Sequence, residues 1–408
     1  MPYWKTQAPR LAQFSQRLRS RWVPGSTTLH DSAPVQVSLE SIDQELRQVL
    51  STKVISGLDA LRALAVGLVL IDHFLFTDHL LGVHPKTGSL GVMIFFVLSG
   101  FLITAMLLKE YRKTGGISLG NFYRRRAYRI FPTFYCCWIL TTVVDFLAHQ
   151  LQWKTAAISF FYLMDYGRAL APENVQPWMH MWISWSLAVE EKFYLLWPLL
   201  LLFLLKRPTL IRILVSIILG QWTYRAILFL GLHVSESYVY CAFDMRADAL
   251  LVGCLLAILL EKDSTRLLCC RALRWQWLSL LAPLALAWVV MAPPSNQAAG
   301  LLVWSLEPVV IAVMLLQFVY WGAKSWTLCS RGIVRITAHL SYALYLYHPL
   351  AGKIVKLLGL RHLGLYAVGL LLLMATASYY LVERPFMRMR DSHRETAANP
   401  VRTVQPVA

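Results

Sequence analysis

Charged residues are scarce in this sequence: they make up 15% of 408 positions, against 57% hydrophobic ones, and the mean hydropathy is positive. A soluble domain rarely tolerates that balance, so a membrane class follows. The seven cysteines (Cys136, Cys137, Cys241, Cys254, Cys269, Cys270 and Cys329) include no CxxC pair and mostly lie in or beside apolar runs. Neither a zinc site nor a disulfide scaffold is expected, and no metal is expected elsewhere. The N-terminal stretch MPYWKTQAPRLAQFSQRLRSRW is basic but lacks the short apolar core and small-residue cleavage site of a secretory signal. Internal repeats and low-complexity tracts are missing too. Room for a large soluble domain is also lacking. A hydrocarbon core roughly 30 Å thick needs about 20 apolar residues per helix, so this length holds on the order of ten spans with short loops.

What is present is a series of apolar runs near 58–80, 89–108, 130–149, 186–205, 211–231, 247–260, 275–292, 300–320, 336–357 and 363–383. They predict an all-α polytopic membrane protein of about ten transmembrane helices. The stretch 156–166, AAISFFYLMDY, is apolar but too brief to span and reads as re-entrant or interfacial. Residues 1–55 read as a cytoplasmic N-terminal tail, in which a short amphipathic helix around Leu11 to Trp22 would suit an anionic membrane surface. Residues 388–408 read as a cytoplasmic C-terminal tail.

The net charge of +17 does not point to nucleic acid, because the basic residues sit in short clusters between apolar runs. With the N-terminus inside, 29 of the 39 lysines and arginines fall on the cytoplasmic side, seven in outer loops and three within spans (Arg62, Lys192, Arg225). That bias sets the orientation and puts both termini in the cytoplasm. The loop holding Lys353, Lys356 and Arg361 runs against it.

An ionisable group in the hydrocarbon region costs roughly 2.5–3.5 kcal/mol on insertion scales, so each needs a partner, a cavity or a function. The first span, GLDALRALAVGLVLIDHFLF, carries Asp59, Arg62, Asp72 and His73. Eleven residues separate Arg62 from His73, which at about 100° per residue puts them on one face, roughly 16 Å apart along the axis. The structural alternative is a snorkelling arginine and a packing histidine. Other spans bring polar groups to the level of His73: Ser186, Glu190 and Glu191 in the fourth, Arg246 and Asp248 in the sixth, and Ser341, Tyr342, Tyr345 and His348 in the ninth, where Pro349 would bend the helix. Lipid would not accept them together unless they enclose a polar cavity in the outer half of the bilayer. Arg246 and Asp248 also read as a structural ion pair. At the inner face, NFYRRRAYRIFP sets Arg126 and Arg129 three apart, presenting two guanidinium forks suited to phosphate or an ordinary positive-inside cluster. YYLVERPF adds Glu383 and Arg384 at the same level, either pairing with those arginines or marking the end of the span.

From residue 56 to about 387 the chain resembles the acyltransferase-3 family of multi-span membrane O-acyltransferases. The resemblance rests on GLDALRALAVGLVLIDHF, GSLGVMIFFVLSGFLIT, FYRRRAYRIFP, WSLAVEEKFYLLWP, RADALLVG, LSYALYLYHP and LVERPF, occurring in that order. It implies a ten-helix acyltransferase body over 56–387 in the plasma (inner) membrane. The donor would be cytoplasmic acyl-CoA, acetyl-CoA by default. The acceptor would be a carbohydrate or other hydroxylated molecule met on the extracytoplasmic side, with membrane lipid around the body. The family's basic residue and histidine land on Arg62 and His73, its RxxR on Arg126 and Arg129, where contact with the phosphates of coenzyme A is implied, and its Ser-Leu-x-x-Glu segment on Ser186 and Glu190. Many members carry a hydrolase-like domain after the last helix. Only about 24 residues follow Glu383 here, so a stand-alone form is expected, with transfer completed by the membrane body or a partner.

On that resemblance the phosphates sit at the inner rim, the pantetheine arm passes Arg62, and the thioester arrives near His73. His73 acts as general base or takes the acyl group as an acyl-imidazole. Glu190 orients or balances the imidazole, while Asp72, Ser186, Arg246, Asp248, Tyr345 and His348 bind acceptor or brace the cavity. A transporter of a lipid-linked sugar or small acid is the rival, since intramembrane charges also mark transport paths. A catalytically silent sensor or scaffold is a third reading.

Overall fold

A backbone in lipid must satisfy its own N–H and C=O groups, and long apolar segments do so as helices. The computed structural model describes residues 38–52, 55–74, 87–171, 180–274, 282–287, 296–324, 332–360 and 363–390, and among them there are helices and turns but no strands. In chain order the helices are α1 (Leu39–Ser51), α2 (Ser56–Phe74), α3 (Thr87–Thr114), α4 (Leu119–Leu147), α5 (Trp153–Phe160), α6 (Met164–Leu170), α7 (Trp185–Leu204), α8 (Leu210–Ala226), α9 (Glu236–Cys241), α10 (Phe243–Glu261), α11 (Asp263–Arg274), α12 (Gln297–Lys324), α13 (Gly332–Leu357) and α14 (Leu363–Ser378). The first four residues of α2, Ser56 to Asp59, precede Arg62 by one turn. π-helical turns at Ile227–Gly231 and Tyr379–Glu383 continue α8 and α14.

Nine of the ten expected apolar runs coincide with helices; the run 275–292 lies largely outside the described residues, as does Leu11 to Trp22. Five helices are long and apolar enough to cross a membrane by themselves: α3, α4, α8 with its π turn, α12, and α14 with its continuation to Arg390. A sixth is added if α1 and α2, inclined at 73° to each other, count as one broken span. Helices α2, α7 and α10 fall short because each holds at least three charged residues, and α13 because of its histidines and tyrosines. These four helices carry the polar candidates other than Arg126 and Arg129, which lie on α4. The stretch 156–166 is split between two short helices, α5 and α6.

Close helix packing turns on glycine. A Cβ on Gly100 of α3 would lie 1.9 Å from the Leu250 carbonyl oxygen, and one on Gly253 of α10 would lie 2.0 Å from that of Val97. Small residues let helix backbones in membranes approach this closely. The gap leaves the Cys254 thiol to donate to the Gly100 carbonyl at 3.3 Å. Helices α2, α3, α10, α12 and α13 pack on one another to form the core, with α14 against α13 and α8 against α10.

Inside the stretch read as an N-terminal tail, α1 packs on α11 and α12, burying Ile42 and Leu46. Its Asp43 carboxylate accepts from Arg266 Nε at 2.6 Å and Arg47 Nε at 2.7 Å, and Asp263 closes the set by pairing with both arginines. Burial alone would push the Asp43 carboxyl up, but the hydrogen bonds from Arg266 and Arg47 outweigh it and hold it below its ordinary value.

Candidate active site

Helix α2 supplies Arg62 and His73, α4 supplies Arg126 and Arg129, α7 supplies Ser186, Glu190, Glu191 and Tyr194, and α13 supplies Tyr342, Tyr345 and His348. Except for the two histidines, all of these line one cavity of about 160 Å³, closed on another side by Phe95, Ser99 and Leu102 of α3. The expected role of Glu190 is to orient or balance the His73 imidazole; the structure gives it other neighbours. Glu190 accepts from Ser99 Oγ at 3.2 Å and from Tyr194 OH at 2.7 Å, and the Arg126 guanidinium lies 4.2 Å from the centre of the Tyr194 ring. Glu190 therefore stands among the arginines of α4 rather than against the imidazole. One helical turn of α7 separates it from Ser186, and that rise of roughly 6 Å decides which group it meets.

At the other end of the cavity Ser186 Oγ and Tyr345 OH are 2.5 Å apart, and each also reaches the Ile183 carbonyl oxygen at 3.3 Å. One turn beyond Tyr345 along α13 comes His348, whose ring centre is 4.7 Å from that of His73. Trp182 lies on the other side of His73, with ring centres 5.5 Å apart. His73 Nδ1 is 2.8 Å from the Val69 carbonyl oxygen and His348 Nδ1 is 2.6 Å from that of Tyr345. A carbonyl oxygen only accepts, so both Nδ1 atoms carry the hydrogen and both Nε2 atoms keep their lone pairs. His348 Nε2 is buried and has no hydrogen-bond partner. Each ring is thus fixed by its own helix in the tautomer that can take a proton at Nε2.

Asp72 points elsewhere. Its carboxylate accepts from Thr87 Oγ1 at 3.2 Å and abuts Gly88 at the start of α3, and it lies 4.0 Å from His73 Nδ1, beyond hydrogen-bond reach. Arg246 and Asp248 do not pair with each other: Asp248 accepts from Arg225 at 2.5 Å and from the Trp222 indole at 3.0 Å, while Arg246 donates to the Tyr240 carbonyl and lies against the Tyr240 and Trp304 rings. Residues two apart on a helix project in nearly opposite directions, which rules out the ion pair that their closeness in sequence suggested. Glu383 is buried at the end of the second π turn, and Arg384 lies over Tyr380.

One buried network was not legible in the sequence. Asp145 near the end of α4 accepts from Lys353 Nζ of α13 and, at 2.9 Å, from His180 Nδ1. His180 opens the turn that continues through Met181, held at φ +50°, to Trp182, Ile183 and Ser184. The network therefore anchors the segment that sets Trp182 beside His73 and the Ile183 carbonyl beside Ser186 and Tyr345. Lys353 had left a signal, as a lysine on the wrong side of the charge bias. His180 left none, because a histidine in a long loop has no periodicity to interpret.

A family model described as an acyltransferase domain matches residues 55–383. The O-acetyltransferase OatA of Staphylococcus aureus (strain NCTC 8325 / PS 47) is 36% identical over 248 residues, covering 55% of this chain and 38% of that protein. The peptidoglycan O-acetyltransferase OatA of Listeria monocytogenes serovar 1/2a is 36% identical over 220 residues, covering 51% of this chain and 34% of the relative. The match thus spans little more than a third of the length of these curated relatives. No solved structure matches.

Proposed function

The chain belongs to the acyltransferase family whose domain spans residues 55–383, and from that premise we propose that it moves an acyl group, acetyl by default, from cytoplasmic acyl-CoA to a hydroxyl of a carbohydrate or other hydroxylated acceptor on the extracytoplasmic side. The observation that carries this reading is the polar cavity that runs from Arg62 to the Ser186–Tyr345 pair, next to two histidines whose Nε2 atoms are set to take protons. The relatives' names supply the acetyl group and, for the Listeria protein, a peptidoglycan acceptor.

In the proposed reaction the thioester end of the donor enters past Arg62 and comes to rest near Ser186 and Tyr345. The acceptor hydroxyl approaches from the side of His73. His73 Nε2 removes the hydroxyl proton as the oxygen attacks the thioester carbon; the new C–O bond forms, the C–S bond breaks, and the proton passes to the departing thiolate. Turned away from each other and from the Ile183 carbonyl, the Ser186 and Tyr345 hydroxyls donate to the oxyanion that develops on the thioester carbonyl. His348, 4.7 Å from His73 between ring centres, is the second proton acceptor of the pair. Glu190 and Glu191 balance Arg62, Arg126 and Arg129 along the passage, a role for Glu190 that replaces the expected one of orienting or balancing the imidazole.

The test uses purified protein in lipid vesicles. Thiol release from acetyl-CoA is expected from the wild type and lost in His73→Ala, with the variant retained in the membrane; undiminished release by His73→Ala would overturn the assignment. An acyl-imidazole route would instead leave an acetyl mass increment on the wild-type protein after donor alone. Mass spectrometry of envelope glycans and secreted metabolites, with and without the protein, identifies the acceptor by its acyl mass shift.

A further inference from the structure

Arg62 lines two cavities. Below the site, a second cavity of about 660 Å³ shares Arg62, Leu102 and Met106 with the first, so the two meet at that neck. Its walls come from α1, the first turn of α2, the last turns of α3, the α10–α11 junction and the start of α13. Six lysines and arginines line it against three carboxylates, Asp59, Glu261 and Asp263. Most of the arginines are committed: Arg47 and Arg266 to Asp43 and Asp263, Arg112 to Glu261 at 3.1 Å, and Arg62 to the neck, 4.0 Å from Asp59. Lys109 and Arg335 are not. Among the described residues neither has a carboxylate partner, and both face the cavity.

Size and charge separate the two cavities by what they can hold. Sites that enclose a drug-sized molecule measure about 300–1,000 Å³; the first cavity at about 160 Å³ lies below that range and the second at about 660 Å³ lies within it. The first cavity also sets Glu190 and Glu191 beside Arg126 and Arg129, so a phosphate there would meet two carboxylates along with its arginines. An uncharged, narrow chain suits it better. The second has cationic side chains left over and room for a nucleotide.

We propose that this basin, through Lys109 and Arg335, holds the phosphate-bearing nucleotide end of the acyl-CoA donor, and that Arg126 and Arg129 line the passage taken by its uncharged pantetheine arm. The inference rests on the acyl-CoA reading above and moves the phosphate contact away from the RxxR pair, where the family resemblance implies it. Helix α1 contributes as well. Its Arg47, Leu50 and Ser51, with Thr52 just beyond, form one wall of the basin, so the Asp43–Arg266 latch that holds α1 in place also shapes the nucleotide site. Anionic lipid headgroups carry the same phosphate chemistry, and the experiment separates the two sources.

Binding of 3′,5′-ADP is measured calorimetrically in phosphatidylcholine vesicles free of anionic lipid, and turnover is compared between acetyl-CoA and S-acetylpantetheine, which lacks the nucleotide. Charge-assisted hydrogen bonds lost on Lys109→Glu and Arg335→Glu should weaken 3′,5′-ADP binding and raise KM for acetyl-CoA by about ten- to a hundredfold each. The wild-type preference for acetyl-CoA over S-acetylpantetheine in kcat/KM should shrink by the same factor. Unaltered 3′,5′-ADP binding in both variants would overturn the proposal, as would loss of that binding in Arg126→Gln alone. Binding that appears only with phosphatidylglycerol present, and only to the lipid, would assign the basin to headgroups and overturn it as well. A wild type that binds 3′,5′-ADP in the basin but releases thiol from neither donor would refute the acyl-transfer reading and leave the nucleotide site standing. Lys109→Ala and Arg335→Ala, both at exposed positions, provide milder variants should the charge reversals fail to fold.

Discussion

Replacing Asp145 with alanine removes the carboxylate that Lys353 and His180 share. The Asp145 side chain is fully buried and that of Lys353 is 10% exposed, so the ammonium cannot turn to water without unpacking α13. Breaking a buried pair by deleting one partner costs about 3–5 kcal/mol, because it leaves a charge buried and uncompensated. Asp145→Asn keeps one acceptor but loses the charge, and Lys353→Met removes the ammonium while keeping the apolar stem. The double variant Asp145→Asn/Lys353→Met should therefore recover more than half of what the singles lose, a coupling of at least about 1.5 kcal/mol in a double-mutant cycle. Because His180 starts the turn that carries Trp182 and Ile183, the single variants should also lower kcat for thiol release while KM for acetyl-CoA stays within about twofold. The assays are unfolding in detergent and steady-state thiol release on the same preparations. Additive losses in the double variant would refute the shared network, and a rise in KM without a fall in kcat would refute its link to the histidine end of the site.

Three further outcomes follow from the geometry. Gly253→Val places a branched side chain where even a Cβ lies 2.0 Å from a backbone carbonyl, so α3 and α10 must separate; a loss of about 1–3 kcal/mol or more is expected from overpacking, read as a lowered unfolding midpoint, whereas Gly220→Val, with nothing within 4 Å of its Cβ, should have little effect. The Asp43 carboxyl is held below its ordinary value of 3.8, so the α1–α11 latch is complete above that pH and lost as the pH falls through the lower native value; amide exchange over residues 39–51 should rise only below about pH 4, and a rise beginning near pH 6 would contradict the pairing. Tyr345→Phe removes one of the two hydroxyls 2.5 Å apart at the end of the cavity and should cut kcat by about 10²-fold if that hydroxyl donates to the oxyanion, with a change under threefold refuting the role.

Hydropathy, charge bias and helical periodicity made much of this protein legible in one dimension. They located nine of the helices, because an apolar run is a property of a single segment against a uniform solvent. The seven ordered motifs also identified the family without reference to a fold. They did not determine partners. Asp248 pairs with Arg225, Asp145 with Lys353 and His180, and Glu190 with Ser99 and Tyr194, and each pairing joins different elements or turns whose relative depth and rotation depend on packing.

The sequence alone established that polar groups on several helices would have to share a protected space, since lipid accepts no isolated charge. Only the tertiary structure decided how that space is divided. The glycine contacts between α3 and α10 bring the backbones together, and one helical turn in α7 separates Glu190 from Ser186. The carbonyls of Val69 and Tyr345 choose the histidine tautomers. Those distances are fixed by helix rotation and close packing, which a hydropathy pattern specifies only to within a face.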